Sequence, residues 1–174
     1  MTALKLTPHE SVEILEETPQ RLLVEVTYAE PGKPPPKHLH PSQDEQFEVL
    51  EGRLTTKVAG TERVLGPGDR LDVPRGTVHQ MWNAGPHRVV ARWETAPAGR
   101  TGDWFRALDA LNREGRPGLP AMAALLTEFD DVFRLVGVPP IVLKGVAPLG
   151  RAKAQAARAS SSTETSGAGS GDDR

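Results

Sequence analysis

The residues best suited to chemistry in this chain are three histidines and one glutamate, held in two short stretches. His38 and His40 flank a single residue, Leu39. In an extended strand successive side chains point to opposite faces, so both imidazoles project the same way and can hold one ion. Glu45 opens the next strand-like stretch and reaches that ion if residues 41–44 turn the chain back. Alternation then puts Phe47 and Val49 on the inward side with Glu45, an apolar wall beside the ligands. Gln43 and Asp44 adjoin Glu45, and a shift of one residue would exchange which side chain faces inward. In the second stretch Pro74, Arg75 and Gly76 make a tight turn that delivers His79 onto a strand as the fourth ligand. Met81 and Asn83 share its side by alternation.

The ligand types restrict the ion. With no cysteine in the chain, disulfides, thiolate catalysis and sulfur-built zinc sites are excluded. Imidazole plus carboxylate suits Fe, Mn, Co, Ni, Cu or Zn, whereas Mg and Ca prefer all-oxygen shells. Six-coordination would leave two positions open beside four protein ligands, the arrangement that admits oxygen and substrate. Tetrahedral zinc would close the shell and favour a structural role. The other two histidines, His9 and His87, lie outside both stretches and read as surface residues.

Ten positions, Gly32, His38, His40, Glu45 and Gly52 followed by Gly68, Pro74, Gly76, His79 and Asn83, resemble the paired motifs of the cupin superfamily at that family's spacings. Fifteen residues separate Gly52 from Gly68, as in small cupins, and the match runs from Gly32 to Asn83. The resemblance implies a small antiparallel jelly roll with a divalent metal inside, and His38, His40, Glu45 and His79 as its three-histidine, one-glutamate ligand set.

The elements that must position these residues read independently as strands. Arg21 to Ala29, Glu45 to Glu51, Arg53 to Ala59, Glu62 to Leu65, Asp69 to Val73, Thr77 to Asn83 and His87 to Thr95 are short and separated by turn residues. Seventeen glycines and 16 prolines in 174 residues fit that reading. The expected fold is therefore all-β, an antiparallel jelly-roll barrel over residues 1–100, with C-terminal α-helices over 101–149. One helix starts at Asp103, with Trp104, Phe105, Leu108 and Leu111 on one face, and ends near Gly115. A second runs from Pro120 to a stop at Gly137, with Met122, Leu125, Leu126, Phe129, Val132, Phe133 and Val136 at spacings of three and four. Its stripe is expected to cover the strand layer or a partner subunit, with Phe129 and Phe133 as core or dimer interface. Residues 150–174, rich in Ala, Ser and Gly, read as a disordered tail.

Composition excludes several classes. A net charge of -2 offers no basic excess for nucleic acid. No apolar run approaches the length that spans a bilayer, and the first residues lack the apolar core of a signal peptide, so the expected compartment is the cytoplasm. Arg92 shares a face with Val90 and Glu94, opposite Val89, Ala91 and Trp93, and reads as solvated, with pocket lining and anion binding as the alternative. Trp82 alternates away from His79 and is expected to pack beneath the helices. The expected function is a metal-dependent enzyme acting on a small organic molecule in the barrel, dioxygenation being the first reaction. The alternatives are a non-catalytic ligand- or metal-binding module and a metal-dependent isomerase or lyase. The last needs a general acid or base, which neither His9 nor His87 supplies by this pattern. The family analogy also implies a homodimer, with Leu4 to Leu6 or Val12 to Leu15 adding to a neighbour's sheet edge.

Overall fold

The computed structural model describes residues 3–115, 117–139 and 141–147. They divide into two compact units, the larger comprising the strands, the first helix and residues 129–138, the smaller comprising residues 118–128, 139 and 141–147. The tail expected over 150–174 lies outside the described residues.

Strand-forming patterns produce strands almost where the alternation places them. The chain runs β1 (Leu4–Thr7), β2 (Glu10–Glu17), β3 (Leu22–Tyr28), β4 (His38–Leu39), β5 (Asp44–Glu51), β6 (Leu54–Val58), β7 (Thr61–Leu65), β8 (Arg70–Val73), β9 (His79–Trp82) and β10 (Val89–Ala96). Helices α1 (Thr101–Arg113) and α2 (Leu119–Glu128) follow, then a two-residue strand β11 (Arg134–Leu135). The strands form two antiparallel sheets, β1-β2-β3-β10-β5-β8 and β11-β4-β9-β6-β7, the interleaved order of a jelly roll. The two sheets are not closed edge to edge into a continuous barrel.

On the inner face of the six-stranded sheet Val24, Trp93 and Phe47 lie side by side, as do Val26, Ala91 and Val49, all buried. Their outward neighbours Glu25, Arg92 and Glu48 meet solvent or each other; Arg92 is 3.8 Å from Glu48, outside the core. This two-residue period is what commits the register, because a slip by one would bury the charged set. The β5–β6 turn needs glycine at Gly52: φ is +79°, and a Cβ there would stand 2.3 Å from the Arg88 carbonyl oxygen.

Helix α1 sits against β1. The Asp109 carboxylate accepts from the Lys5 backbone N–H at 2.8 Å, and the Asn112 amide donates to the Leu6 carbonyl at 2.9 Å. These side chains occupy backbone groups of the outermost strand, which would otherwise present an open edge. β1 and β2 are thus engaged within the chain's own sheet, through β3 on one side and α1 on the other. Among the described residues no helix is long and apolar enough to cross a membrane.

The second helix differs from expectation. It ends at Glu128, and residues 129–135 leave the helix, turn, and pair β11 with β4. Residues 129–133 instead close a turn in which the Val132 and Phe133 N–H groups both donate to the Phe129 carbonyl at 2.9 Å. Val132 is fully buried and Phe129 nearly so, within the strand-containing unit rather than on a helical stripe.

A candidate metal centre between the two sheets

His38, His40 and His79 come from neighbouring positions on one sheet, where His38 in β4 stands opposite His79 in β9. Glu45 comes from β5 in the other sheet. One ring nitrogen from each histidine lies within 4.8 Å of the others. The outward nitrogens are all committed to backbone carbonyls: Nδ1 of His38 to Pro36 at 3.0 Å, of His40 to Val132 at 2.7 Å, and of His79 to Thr77 at 2.9 Å. Donation from Nδ1 to a carbonyl leaves Nε2 with its lone pair free, the tautomer a ligating imidazole requires.

The Glu45 carboxylate faces the same point. Its Oε1 lies 3.2 Å from His40 Nε2 and accepts from the Trp93 indole N–H at 3.1 Å. Oε2 is 3.1 Å from His79 Nε2, yet no donor is aligned on it, so a buried carboxylate oxygen is left without a hydrogen bond. Glu45 and His79 are each 3% exposed and His40 4%, too enclosed for water to compensate a missing partner freely. An acceptor-only oxygen beside three aligned imidazole nitrogens fits a divalent ion with nitrogen and oxygen ligands.

Electrostatics agrees with that donor set. Burial, reinforced by the charge of His79, pushes His38 down to about 3. Burial also lowers His40, against the attraction of Glu45. For His79 burial acts downward, but the Glu45 carboxylate beside it outweighs that and the net direction is up. Burial would raise Glu45, and the proximity and charges of His40, His79 and His38 bring it down instead. A carboxylate and neutral His38 and His40 are protonation states a metal takes, and His79, held up by Glu45, would release its proton to an incoming ion.

The ambiguity around residue 45 is resolved by Asp44. Its carboxylate points outward and takes three bonds from Arg75: the backbone N–H at 2.8 Å, Nε at 3.1 Å and Nη2 at 2.6 Å. Those bonds hold it down to about 2. The same turn is tied to the other ligand segment by the Gly76 N–H, which donates to the His40 carbonyl at 2.8 Å. Asp44 therefore joins the β8–β9 turn to the start of β5, and Glu45 is the residue turned inward.

Of the residues expected to line the pocket, Phe47, Val49, Met81 and Asn83 are all buried. Phe47 stacks on Trp93, centroids 5.4 Å apart. Asn83 uses its amide on backbone, donating to the carbonyls of Tyr28 and His87 and accepting from the Gly85 N–H.

Residues 25–93 match the family profile described as the Cupin domain. Those residues form a cupin domain. An RmlC-like cupin from Shewanella frigidimarina superposes with a TM-score of 0.53 at 18% identity, over 58% of this chain and 87% of that one, a likeness of fold. An oxidoreductase of Arthrobotrys oligospora is 42% identical over 52 residues, 29% of this cupin and 21% of that protein. Germin-like protein subfamily T member 2 of Arabidopsis thaliana is 41% identical over 71 residues, 38% of this cupin and 31% of that protein. The chain thus spans only a fifth to a third of these two curated relatives.

Two features of this cupin escape a motif reading. Phe133, expected in core or interface, stacks on the His38 ring at 4.5 Å and 19°. The other is Glu10, the cross-strand partner of Tyr28 on the inner face of the sheet. Burial raises its carboxyl to about 7, partly offset by a hydrogen bond with Tyr28. Tyr28 is itself pushed up by burial and by the charges of Glu10 and Glu45. A glutamate at a strand start reads as solvated, and only the sheet order shows it facing inward.

Proposed function

We propose that this cupin binds one divalent transition metal, Fe, Mn, Ni, Cu or Zn, through His38, His40, Glu45 and His79, and acts as an enzyme on a small organic molecule, with dioxygenation as the reaction. The observation that supports the centre is the alignment just described: three Nδ1 groups bonded to carbonyls and a buried carboxylate with an oxygen lacking a donor. The bound ion would supply Lewis acidity and, for a redox-active metal, electron exchange with oxygen. The chain's own residues orient and enclose. Trp93 holds the Glu45 carboxylate by its indole N–H, and Phe47, Val49 and Met81 keep the surroundings apolar, which favours an uncharged substrate and excludes bulk water. The Arthrobotrys relative described as an oxidoreductase supports the redox reading.

The test is metal analysis of protein purified without chelator, followed by anaerobic loading with Fe(II), Mn(II), Ni(II) or Cu(II) and measurement of oxygen uptake with enol, catechol and thiol substrates. Uptake with one metal and one substrate class is expected. A closed tetrahedral zinc site with no exchangeable water, and no uptake in any combination, would overturn the proposal.

The Glu10 and Tyr28 pair favours a second reading, metal-assisted isomerisation or elimination. A half-buried carboxyl near 7 on the inner face can give or take a proton at neutral pH. Under that reading Glu10→Gln abolishes turnover with full metal content and no oxygen is consumed.

A further inference from the structure

We propose that the segment from Phe129 to Leu135 is a built part of the metal centre, a strap in which the Val132 carbonyl and the Phe133 ring hold His40 and His38 in the orientation that ligation needs. This inference rests on the metal reading above but concerns residues outside both histidine stretches. The Val132 carbonyl takes the Nδ1 hydrogen of His40 at 2.7 Å, the shortest of the three such bonds. Phe133 lies flat against His38, whose ring also meets His79 edge-on at 4.4 Å and His40 at 5.5 Å. The strap is fixed at both ends. At one end Arg134 and Leu135 pair with Leu39 and His38, and the Val136 N–H donates to the Lys37 carbonyl at 2.9 Å. At the other, the Asp131 carboxylate accepts from Nε and Nη2 of Arg100, and the same guanidinium sits 4.6 Å above the Phe129 ring. Trp104 of α1 backs Phe133 at 5.2 Å and 22°.

A ligand imidazole needs one nitrogen protonated outward and one bare inward, and a ring free to rotate satisfies this only part of the time. Outer partners that fix tautomer and ring plane contribute about 10–100-fold in metal affinity. His79 and His38 take their carbonyls from two residues upstream, Thr77 and Pro36, so their partners are local. His40 takes its partner from 92 residues away, so its orientation depends on the strap being in place.

The test uses the full chain with Phe133→Ala, Phe133→Leu and Asp131→Asn. Co(II) affinity is measured by competition with a chelator, and the tautomers of metal-free protein are read from ¹⁵N chemical shifts of the histidine rings. Expected for Phe133→Ala is a loss of Co(II) affinity of about tenfold or more and a mixed tautomer at His40, with the far-ultraviolet circular dichroism unchanged. Phe133→Leu, which keeps most of the volume, gives a smaller loss in the same direction and carries the test if the alanine variant does not fold. Asp131→Asn loosens the Arg100 end and gives a smaller loss too. Unchanged affinity and an unchanged Nδ1–H tautomer in the folded variants would overturn the proposal. If the wild-type chain bound no metal while its His40 tautomer still changed in the variants, the metal reading would fail and the orienting role of the strap would stand.

Discussion

At the scale of residues, the centre depends on where protons and lone pairs sit. His79 stands opposite His38, and its Nε2 is closest to the oxygen of Glu45 that lacks a donor. His79→Ala is expected to lower metal affinity more than about 100-fold, beyond the range seen for outer partners, measured by elemental analysis after dialysis. Trp93→Phe keeps the stacking surface for Phe47 and removes the N–H that holds Glu45 Oε1, so a loss of about tenfold is expected by the same competition assay. Glu10 gives a pH dependence with a definite sign. Its carboxyl titrates near 7 in the folded chain against 4.5 as a model group, so the folded state binds the proton more tightly. Its contribution is fully present below about 4.5 and is lost as pH rises through 7. Glu10→Gln is expected to flatten that slope and to stabilise the protein above neutrality, as read from urea midpoints across pH 4 to 8.

At the scale of elements, the site is assembled by turns as much as by strands. Arg75 in the β8–β9 turn grips Asp44, and Gly76 bonds the His40 carbonyl, so three ligand-bearing segments share one turn. Gly52 closes the hairpin that begins with β5. Gly52→Ala is expected to cost at least about 1–3 kcal/mol from the positive φ alone, and more because the Arg88 carbonyl oxygen must move. Chemical denaturation checks this. Strand positions were legible because alternation of two carries its own register; β3 with Leu22, Val24, Val26 and Tyr28 buried is the plainest case. The end of α2 was not legible in the same way. Phe129, Val132 and Phe133 continue a helical spacing, and periodicity alone cannot tell a helix face from a strap whose side chains reach different neighbours.

At the scale of the whole molecule, an ion linking side chains from both sheets must couple metal binding to folding. Removal of the metal with a chelator is expected to lower stability by about 3 kcal/mol when free metal stands near 100 times its dissociation constant. That corresponds to a fall of roughly 6–12 °C in Tm for a chain of this size, read by differential scanning calorimetry. Self-association is proposed by analogy with other cupins. With α1 bonded along β1, the other outer strands among the described residues are β7, β8 and β11. A dimer at micromolar concentration is the expected result of sedimentation velocity, and a monomer would refute it.

Residue types and spacings gave strand positions, and the resemblance to the paired cupin motifs implied the jelly roll and four candidate ligands, because both depend on local alternation and on residues close along the chain. They did not determine that Asp44 turns outward onto Arg75, that Glu10 faces inward, or that a carbonyl 92 residues beyond His40 sets its tautomer. Each of these depends on which distant backbone passes nearby. Nearness of that kind arises from sheet order and chain return, which have no period a linear reading can detect.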